Sequence, residues 1–593
     1  MRDIFGFGSF RPGQEQVIDA LLTGRNVLTV MPTGSGKSLC FQIPALVAGG
    51  LTIVVSPLVA LMEDQVSSLK LAGVAADAIN SSRPRGENVA AWRRAAVGET
   101  RLLYMAPERL MTDRMLGALG ELDIRMFAID EAHCISQWGP AFRPEYKALS
   151  QLRGVFPSVP IAALTATADA VTRDDIVAQL FDGEGESVVL GFDRPNIRLS
   201  VEMKQDWKQQ MTDFLSRQEG ESGIVYCLSR KKTEETARYL QDRGIKALPY
   251  HAGMDQFDRQ AHQNAFMTDP GVVIVATIAF GMGIDKSDVR FVLHVDLPGS
   301  VEAYYQEIGR GGRDGRPANA HMIYGLQDIR MRRIFIEDEN SGPDRKHREH
   351  KRLDALVGYC EAPECRRRSL LDYFGEKIDA CGNCDVCTDP VELTDGTEHG
   401  QKVLAAVDQS GRIYGAAHVI DILRGVPTEK ISKAGHDQLQ AFGVGSELRK
   451  QEWQSIIRQL VAAGFLRLDI QGYGGLTITS KGEDLMRSKE SFRYRPDTLK
   501  KSGAAKRRAK DLSNDTNLEE ADTELLHHLR ELRLQIAKAK GVPAYVIFSD
   551  RSLVDMARRK PNTADEFAEV HGVGAAKLRR FSEPFLAAIK EPR

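Results

Sequence analysis

The chain has 593 residues, 42% of them hydrophobic and 27% charged, with a net charge of −2. Such a length exceeds what one hydrophobic core organises, so about three to five domains of roughly 100–200 residues are expected. Near-zero charge excludes a global attraction to polyanions, and no run of about 18 apolar residues or basic-then-apolar N-terminus suggests a membrane span or export signal, so a cytoplasmic protein with local basic patches is expected.

In the first 330 residues, short β-branched apolar runs alternate with turns and helix-like segments. Examples are Asn26–Met31, Leu51–Ser56, Met126–Asp130, Gly223–Tyr226 and Val272–Ala276. Strands that are apolar throughout need cover on both faces, which predicts parallel sheets in two tandem α/β domains joined near Phe192–Pro195.

The first strand runs into Met31-Pro32-Thr33-Gly34-Ser35-Gly36-Lys37-Ser38 and then an apolar helix. Small glycines let backbone N–H groups converge on phosphate at a helix N-terminus; Lys37 adds charge and Ser38 a ligand for Mg²⁺. Met31 stands where the general pattern has its first glycine. Strand Met126–Ile129 ends in Asp130-Glu131-Ala132-His133. A carboxylate there can hold Mg²⁺ while its neighbour polarises the attacking water, so Asp130 is assigned to metal and Glu131 to water.

The second α/β unit carries Gln306-Glu307-Ile308-Gly309-Arg310-Gly311-Gly312-Arg313. Facing a bound triphosphate across a cleft, Arg310 and Arg313 would neutralise charge developing on the transferred group. Such contacts are worth about 10³–10⁵ in rate, or about 4–7 kcal/mol. Catalytic residues are therefore expected on both domains, with Lys37 and Glu131 on one and the arginines on the other, so that hydrolysis depends on closure.

Beyond residue 327 come a charged helical stretch, Arg345–Asp354, and a cysteine cluster. Three of the eight cysteines are isolated; five lie between Cys360 and Cys387. Cys365, Cys381, Cys384 and Cys387 have the spacing of a tetrahedral Zn²⁺ site, a pattern iron–sulfur clusters also use. Cys360 is the spare, a packing residue or a competitor of Cys365. Helix Glu452–Ala463, then Phe465–Ile470, a Gly/Tyr turn and Leu476–Thr479, is the order of a winged helix-turn-helix. Lys489–Lys510, rich in Lys, Arg and Ser, reads as a basic linker. The remaining residues are helical.

Further segments carry a resemblance to superfamily 2 helicases. In order they are Phe10-Arg11-Pro12-Gly13-Gln14, Ser56-Pro57-Leu58, Ala106-Pro107-Glu108-Arg109-Leu110, Leu164-Thr165-Ala166-Thr167-Ala168, Tyr250-His251-Ala252-Gly253-Met254 and Ala276-Thr277-Ile278-Ala279-Phe280-Gly281-Met282-Gly283. His133-Cys134-Ile135-Ser136-Gln137-Trp138-Gly139 followed by Phe142-Arg143-Pro144-Glu145-Tyr146 resembles the RecQ family, and the likeness covers nearly the whole chain. It implies a multidomain α/β fold: ATP-binding lobe 1–194, second RecA-like lobe 195–326, zinc-binding domain 327–390, winged helix 391–488, basic linker 489–516 and an all-α HRDC domain 517–593.

The same resemblance implies ATP, Mg²⁺ and Zn²⁺ as cofactors, with Gln14 reading the adenine edge and Phe7 and Arg11 sandwiching its ring. Trp138, Phe142 and Arg143 would contact single-stranded DNA, the aromatic rings offering stacking worth roughly 1–3 kcal/mol each. Tyr473 in the hairpin turn would meet the duplex. Pro140-Ala141 stands where relatives commonly have His-Asp, so coupling between DNA and hydrolysis is expected to be tuned differently. The implied activity is 3′ to 5′ unwinding of forked, gapped or branched DNA in recombination and repair by a monomer on the nucleoid, with single-strand-binding protein and other repair proteins as partners. An RNA helicase, or a DNA-binding scaffold with a disused nucleotide site, is the competing reading.

Overall fold

The structure is a computed structural model that describes residues 1–136, 143–281, 286–339, 341–362, 364–390, 392–468, 475–496, 520–540, 542 and 544–590. Seven strands form the first sheet: β1 (Val27–Val30), β2 (Leu51–Val55), β3 (Ala76–Ile79), β4 (Leu102–Met105), β5 (Ile124–Ile129), β6 (Ile161–Thr165) and β7 (Glu186–Val189). Their order is β3-β4-β2-β5-β6-β1-β7, parallel throughout. Every residue of β1, β2, β4 and β6 is buried, which is why these strands read as unbroken apolar runs. Parallel neighbours β5, β6 and β1 bring the segments after Ile129, Thr165 and Val30 to one edge of the sheet, the usual place for ligands in such folds.

The second sheet is β8 (Ile197–Met203), β9 (Gly223–Tyr226), β10 (Ala247–Tyr250), β11 (Val273–Ala276), β12 (Phe291–His294) and β13 (Ala318–Tyr324), ordered β10-β11-β9-β12-β13-β8. The first sheet ends at Val189 and the second begins at Ile197, so the connector falls on the expected Phe192–Pro195. Apolar packing covers both faces of each sheet, and one core runs on from the lobes through the cysteine-bearing region into the winged helix.

Helix Pro343–Glu361 extends the expected charged helix by two turns and leads to the cysteines. The winged helix is built on helices Thr397–Gln409, Ala416–Leu423 and Lys450–Ala462. Trp453 is fully buried at its centre, its indole N–H bonded to the Gly445 carbonyl at 2.8 Å. A Cβ at Gly445 would lie 2.4 Å from that ring, so the position needs glycine. The expected hairpin forms, Leu466–Leu468 pairing antiparallel with Leu476–Ile478, while its turn, including Tyr473, lies outside the described residues.

One boundary shifts. Residues 489–496 were expected in the linker, yet Arg493–Tyr494 pairs with Thr394–Asp395 and Phe492 is buried, because this strand closes the open side of the winged-helix core. The C-terminal helices Glu520–Lys540, Asp550–Arg559 and Ala575–Lys590 enclose a separate core around Phe548, Phe567, Phe581 and Phe585.

Candidate nucleotide site and metal centre

Gly34 and Gly36 have φ of 80° and 85°, left-handed conformations that open to glycine at little cost. Met31 is fully buried beside Cys40, so its position faces the core and has no need of glycine. The carbonyls of six consecutive loop residues each accept a side-chain donor. Lys37 Nζ reaches Met31 at 2.9 Å and Ser35 Oγ reaches Pro32 at 2.7 Å. Arg194 reaches Thr33 at 2.9 Å, Arg11 bonds Gly34, and Gln14 Nε2 bonds Ser35 at 3.3 Å and Gly36 at 3.1 Å. Ser38 makes no side-chain capping bond to the helix that follows it.

The two carboxylates meet this loop from β5. Burial and the neighbouring Glu131 push the Asp130 carboxyl up while Lys37 holds it down; burial pulls the Lys37 ammonium down against the pull of both acids. Three charges packed so closely suit a site where a further cation and a polyphosphate complete the balance. Glu131 sits at φ 50°, ψ 44°, costly for a non-glycine residue, and its Oε2 is buried 3.4 Å from His133 Nδ1. His133 Nδ1 also bonds Thr165 Oγ1 at 2.8 Å, and Gln306 Nε2 of the second lobe bonds Thr167 Oγ1 at 2.7 Å.

The expected arginine pair divides. Arg313 lies against the phosphate loop: a Cβ on Gly34 would stand 3.4 Å from its Cγ, and its charge lowers the Lys37 ammonium. Arg310 is buried inside the second lobe, close to Gly281 and to the Tyr226 phenol, whose hydroxyl donates to the Phe280 carbonyl at 2.8 Å. Reading the sequence missed Arg194. It lies in the run Phe192-Asp193-Arg194-Pro195, which carried only the signal of a domain join.

Of the residues expected on the adenine side, Arg11 and Gln14 bond the loop, and Phe7 packs on His571 of the C-terminal domain with ring centroids 5.2 Å apart. Of the residues expected to meet single-stranded DNA, Trp138 and Phe142 lie outside the described residues, as do Pro140 and Ala141. Arg143 is described, with Nη1 on the Pro57 carbonyl at 3.1 Å, tying the acidic strand end to the Ser56-Pro57-Leu58 turn.

The Sγ atoms of Cys365, Cys381, Cys384 and Cys387 all lie within 4.8 Å of one another. Tetrahedral Zn²⁺ with Zn–S near ~2.3 Å places sulfurs roughly 3.8 Å apart, so the cluster fits with sub-ångström adjustment. Backbone N–H groups of Arg368 and Cys381 point at Cys365 Sγ, that of Asn383 at Cys381 Sγ, and that of Cys387 at Cys384 Sγ, a donor set that favours thiolates. Cys360 stands apart, buried 3.5 Å from Met322 Sδ with its thiol pushed up to about 12 by burial. It is a packing residue.

Comparison with known proteins follows the same division. The DEAD/DEAH box helicase family matches residues 11–176, the helicase conserved C-terminal domain 206–315, the RecQ zinc-binding domain 326–388, the RQC domain 390–502 and the HRDC domain 522–589. The chain is 42% identical over 593 residues to the ATP-dependent DNA helicase RecQ of Haemophilus influenzae, covering 100% of this chain and 95% of that protein. It is 42% identical to the RecQ of Pasteurella multocida over 99% of this chain and 92% of that one, and 36% identical to the RecQ of Bacillus subtilis over 99% and 97%. With a relative of this identity matched end to end, and a zinc-binding family match lying over the four-cysteine cluster, the chain belongs to the RecQ family.

Proposed function

We propose that this ATP-dependent DNA helicase couples ATP hydrolysis between its two lobes to 3′ to 5′ stepping along one DNA strand, with the winged helix holding duplex ahead. The observation that carries the reading is Arg313 of the second lobe lying against Gly34 and Lys37 of the first. In the assignment we favour, Lys37 neutralises the phosphates and Glu131 orients and deprotonates the attacking water. Arg313 meets charge developing on the transferred group, while Phe7, Arg11 and Gln14 define the base side. Asp130 and Ser38 are the residues that would hold Mg²⁺, which when bound supplies neutralisation of the phosphate oxygens. Because the loop and the arginine belong to different lobes, hydrolysis and lobe closure are one event.

Cys365, Cys381, Cys384 and Cys387 would hold Zn²⁺ as a structural ion, a set of four sulfur ligands that would leave no position for water. Forked, gapped and branched DNA are the substrates this reading assigns, with Trp138, Phe142, Arg143 and Tyr473 as contacts. Work as a monomer in the cytoplasm, on the nucleoid and beside single-strand-binding protein, is part of the same proposal; among the described residues no helix is long and apolar enough to cross a membrane.

The test is Lys37→Ala. ATP turnover and unwinding are expected to fall by about 10³-fold or more, within the range of losses for phosphate-clamp residues, while fork DNA is bound nearly as tightly as by the parent. Turnover at the parent rate would sink the site assignment. Strand displacement on DNA and RNA forks of each polarity checks the substrate and the direction.

A further inference from the structure

Arg194 lies on the seven-residue connector between β7 and β8 and donates to four backbone carbonyls. Nη1 bonds Thr33 O at 2.9 Å and Gly309 O at 3.2 Å; Nη2 bonds Gly311 O at 2.8 Å and Gly312 O at 3.0 Å. One acceptor belongs to the phosphate loop. The other three belong to the turn that presents Arg313. Two further contacts seal this junction: Thr33 Oγ1 donates to the Gly309 carbonyl at 2.9 Å, and Asn196 Nδ2 donates to Gly312 at 2.8 Å and Arg316 at 2.9 Å.

The geometry calls for arginine and for glycines at defined places. A planar fork with parallel N–H groups can serve carbonyls on two sides at once, whereas an ammonium offers three donors from one point. Close approach does the rest. A Cβ at Gly309 would lie 2.4 Å from Thr33 Oγ1, and one at Gly312, where φ is 56°, would lie 2.4 Å from Asn196 Nδ2. These glycines therefore let the arginine-bearing turn sit flush against Thr33, Arg194 and Asn196.

We infer that Arg194 is a positioning residue for ATP hydrolysis: from the connector it sets the register of the Arg313 turn against the phosphate loop without meeting the nucleotide itself. The inference rests on the proposed site, and it adds a part that lies between the two sheets. Since the guanidinium holds carbonyls of both partners, a shift of the turn by about 1 Å on its loss misplaces Arg313, and misplacement on that scale costs about 10²-fold in rate.

The experiment compares the full chain with Arg194→Lys, Arg313→Ala, their double variant and Lys37→Ala, measuring DNA-stimulated kcat and KM for ATP. Arg194→Lys is expected to lower kcat by about 10- to 100-fold with KM changed less than about threefold, at unchanged zinc content and fork affinity. In the Arg313→Ala background the same substitution should add less than about twofold, because both act through one group. Full additivity of the two losses, or a kcat for Arg194→Lys at the parent value, overturns the inference. If Arg194→Lys does not fold, Asn196→Ala, which removes the second arm at Gly312, is put through the same cycle with the same criteria. Parent-level turnover by Lys37→Ala would instead refute the underlying site, so the two failures are told apart.

Discussion

Arg310 and Arg313 are three residues apart yet meet different surroundings, and the difference predicts different losses. Arg310 is 6% exposed, with Nη2 beside Gly281 and its charge near the Tyr226 phenol, itself pushed up to about 12 by burial. Truncating it removes a buried side chain packed inside the second lobe and leaves a cavity, a penalty of about 1–3 kcal/mol. Arg310→Ala should therefore lower both kcat and the melting temperature, the latter by a few degrees. Arg313 is half-buried at the phosphate loop, so Arg313→Ala should lower kcat by about 10²–10³-fold and melt like the parent. Equal melting losses in the two variants would show that the arginines are not divided in this way. The sequence made the pair visible through its glycine-rich setting, but spacing alone treats both arginines alike. What separates them is which way a turn of successive glycines throws each side chain. That direction depends on packing against Gly34 and Tyr226, which are distant in sequence.

Strands were the most legible elements. Gly223–Tyr226 is found at the expected bounds and Val272–Ala276 within one residue, because a strand covered on both faces must be apolar at every position. The cysteine cluster was legible for a similar reason, its ligand chemistry being local. The brace between that cluster and the lobe connector was not. Asn383 Nδ2 bonds the Pro195 carbonyl at 3.2 Å, Asp385 accepts from Val201 N–H at 3.0 Å, and Glu376 accepts from Phe192 N–H. Arg367 bonds the Ile197 carbonyl, and Phe374 stacks on Phe192 at 4.7 Å. Bonds from side chains to distant main chain leave no pattern in a sequence. Under the proposed closure of the lobes, they make the zinc element a clamp on the connector between them. Removing the metal should therefore slow ATP turnover although the four cluster cysteines lie outside the phosphate loop. Titrating a zinc chelator while following released zinc and ATP turnover is expected to show the two falling together. Glu376→Gln, which keeps all four thiolates, should keep its zinc and lose a few-fold in turnover. Turnover that survives complete zinc release would sink the clamp.

At the scale of the whole molecule the C-terminal helices have a seat on the motor. Gly572 N–H bonds Gly6 O at 3.0 Å, Phe7 meets His571, and Arg580 Nη1 lies 3.4 Å from the Lys70 carbonyl, all on the first lobe. Lys538 pairs with Asp269 of the second lobe at 3.6 Å. An exposed ion pair of this kind contributes little stability, so the tight contact with the first lobe holds the domain and the contact with the second only restrains movement between lobes. A body touching both lobes beside Phe7 opposes any opening that product release requires. Gly574 isolates this effect. Its φ lies outside the left-handed range, so a side chain there does not strain the helical domain, but a Cβ would stand 2.2 Å from the Ile4 carbonyl of the first lobe. Gly574→Val should undock the domain while leaving its own core around Phe548 intact. DNA-free ATP turnover is then expected to rise a few-fold, and the Gly572 amide, freed from the Gly6 carbonyl, should exchange its hydrogen faster. Faster exchange at an unchanged turnover rate would mean that the seat is only a resting place, and that the two lobes open as freely with the domain docked as without it.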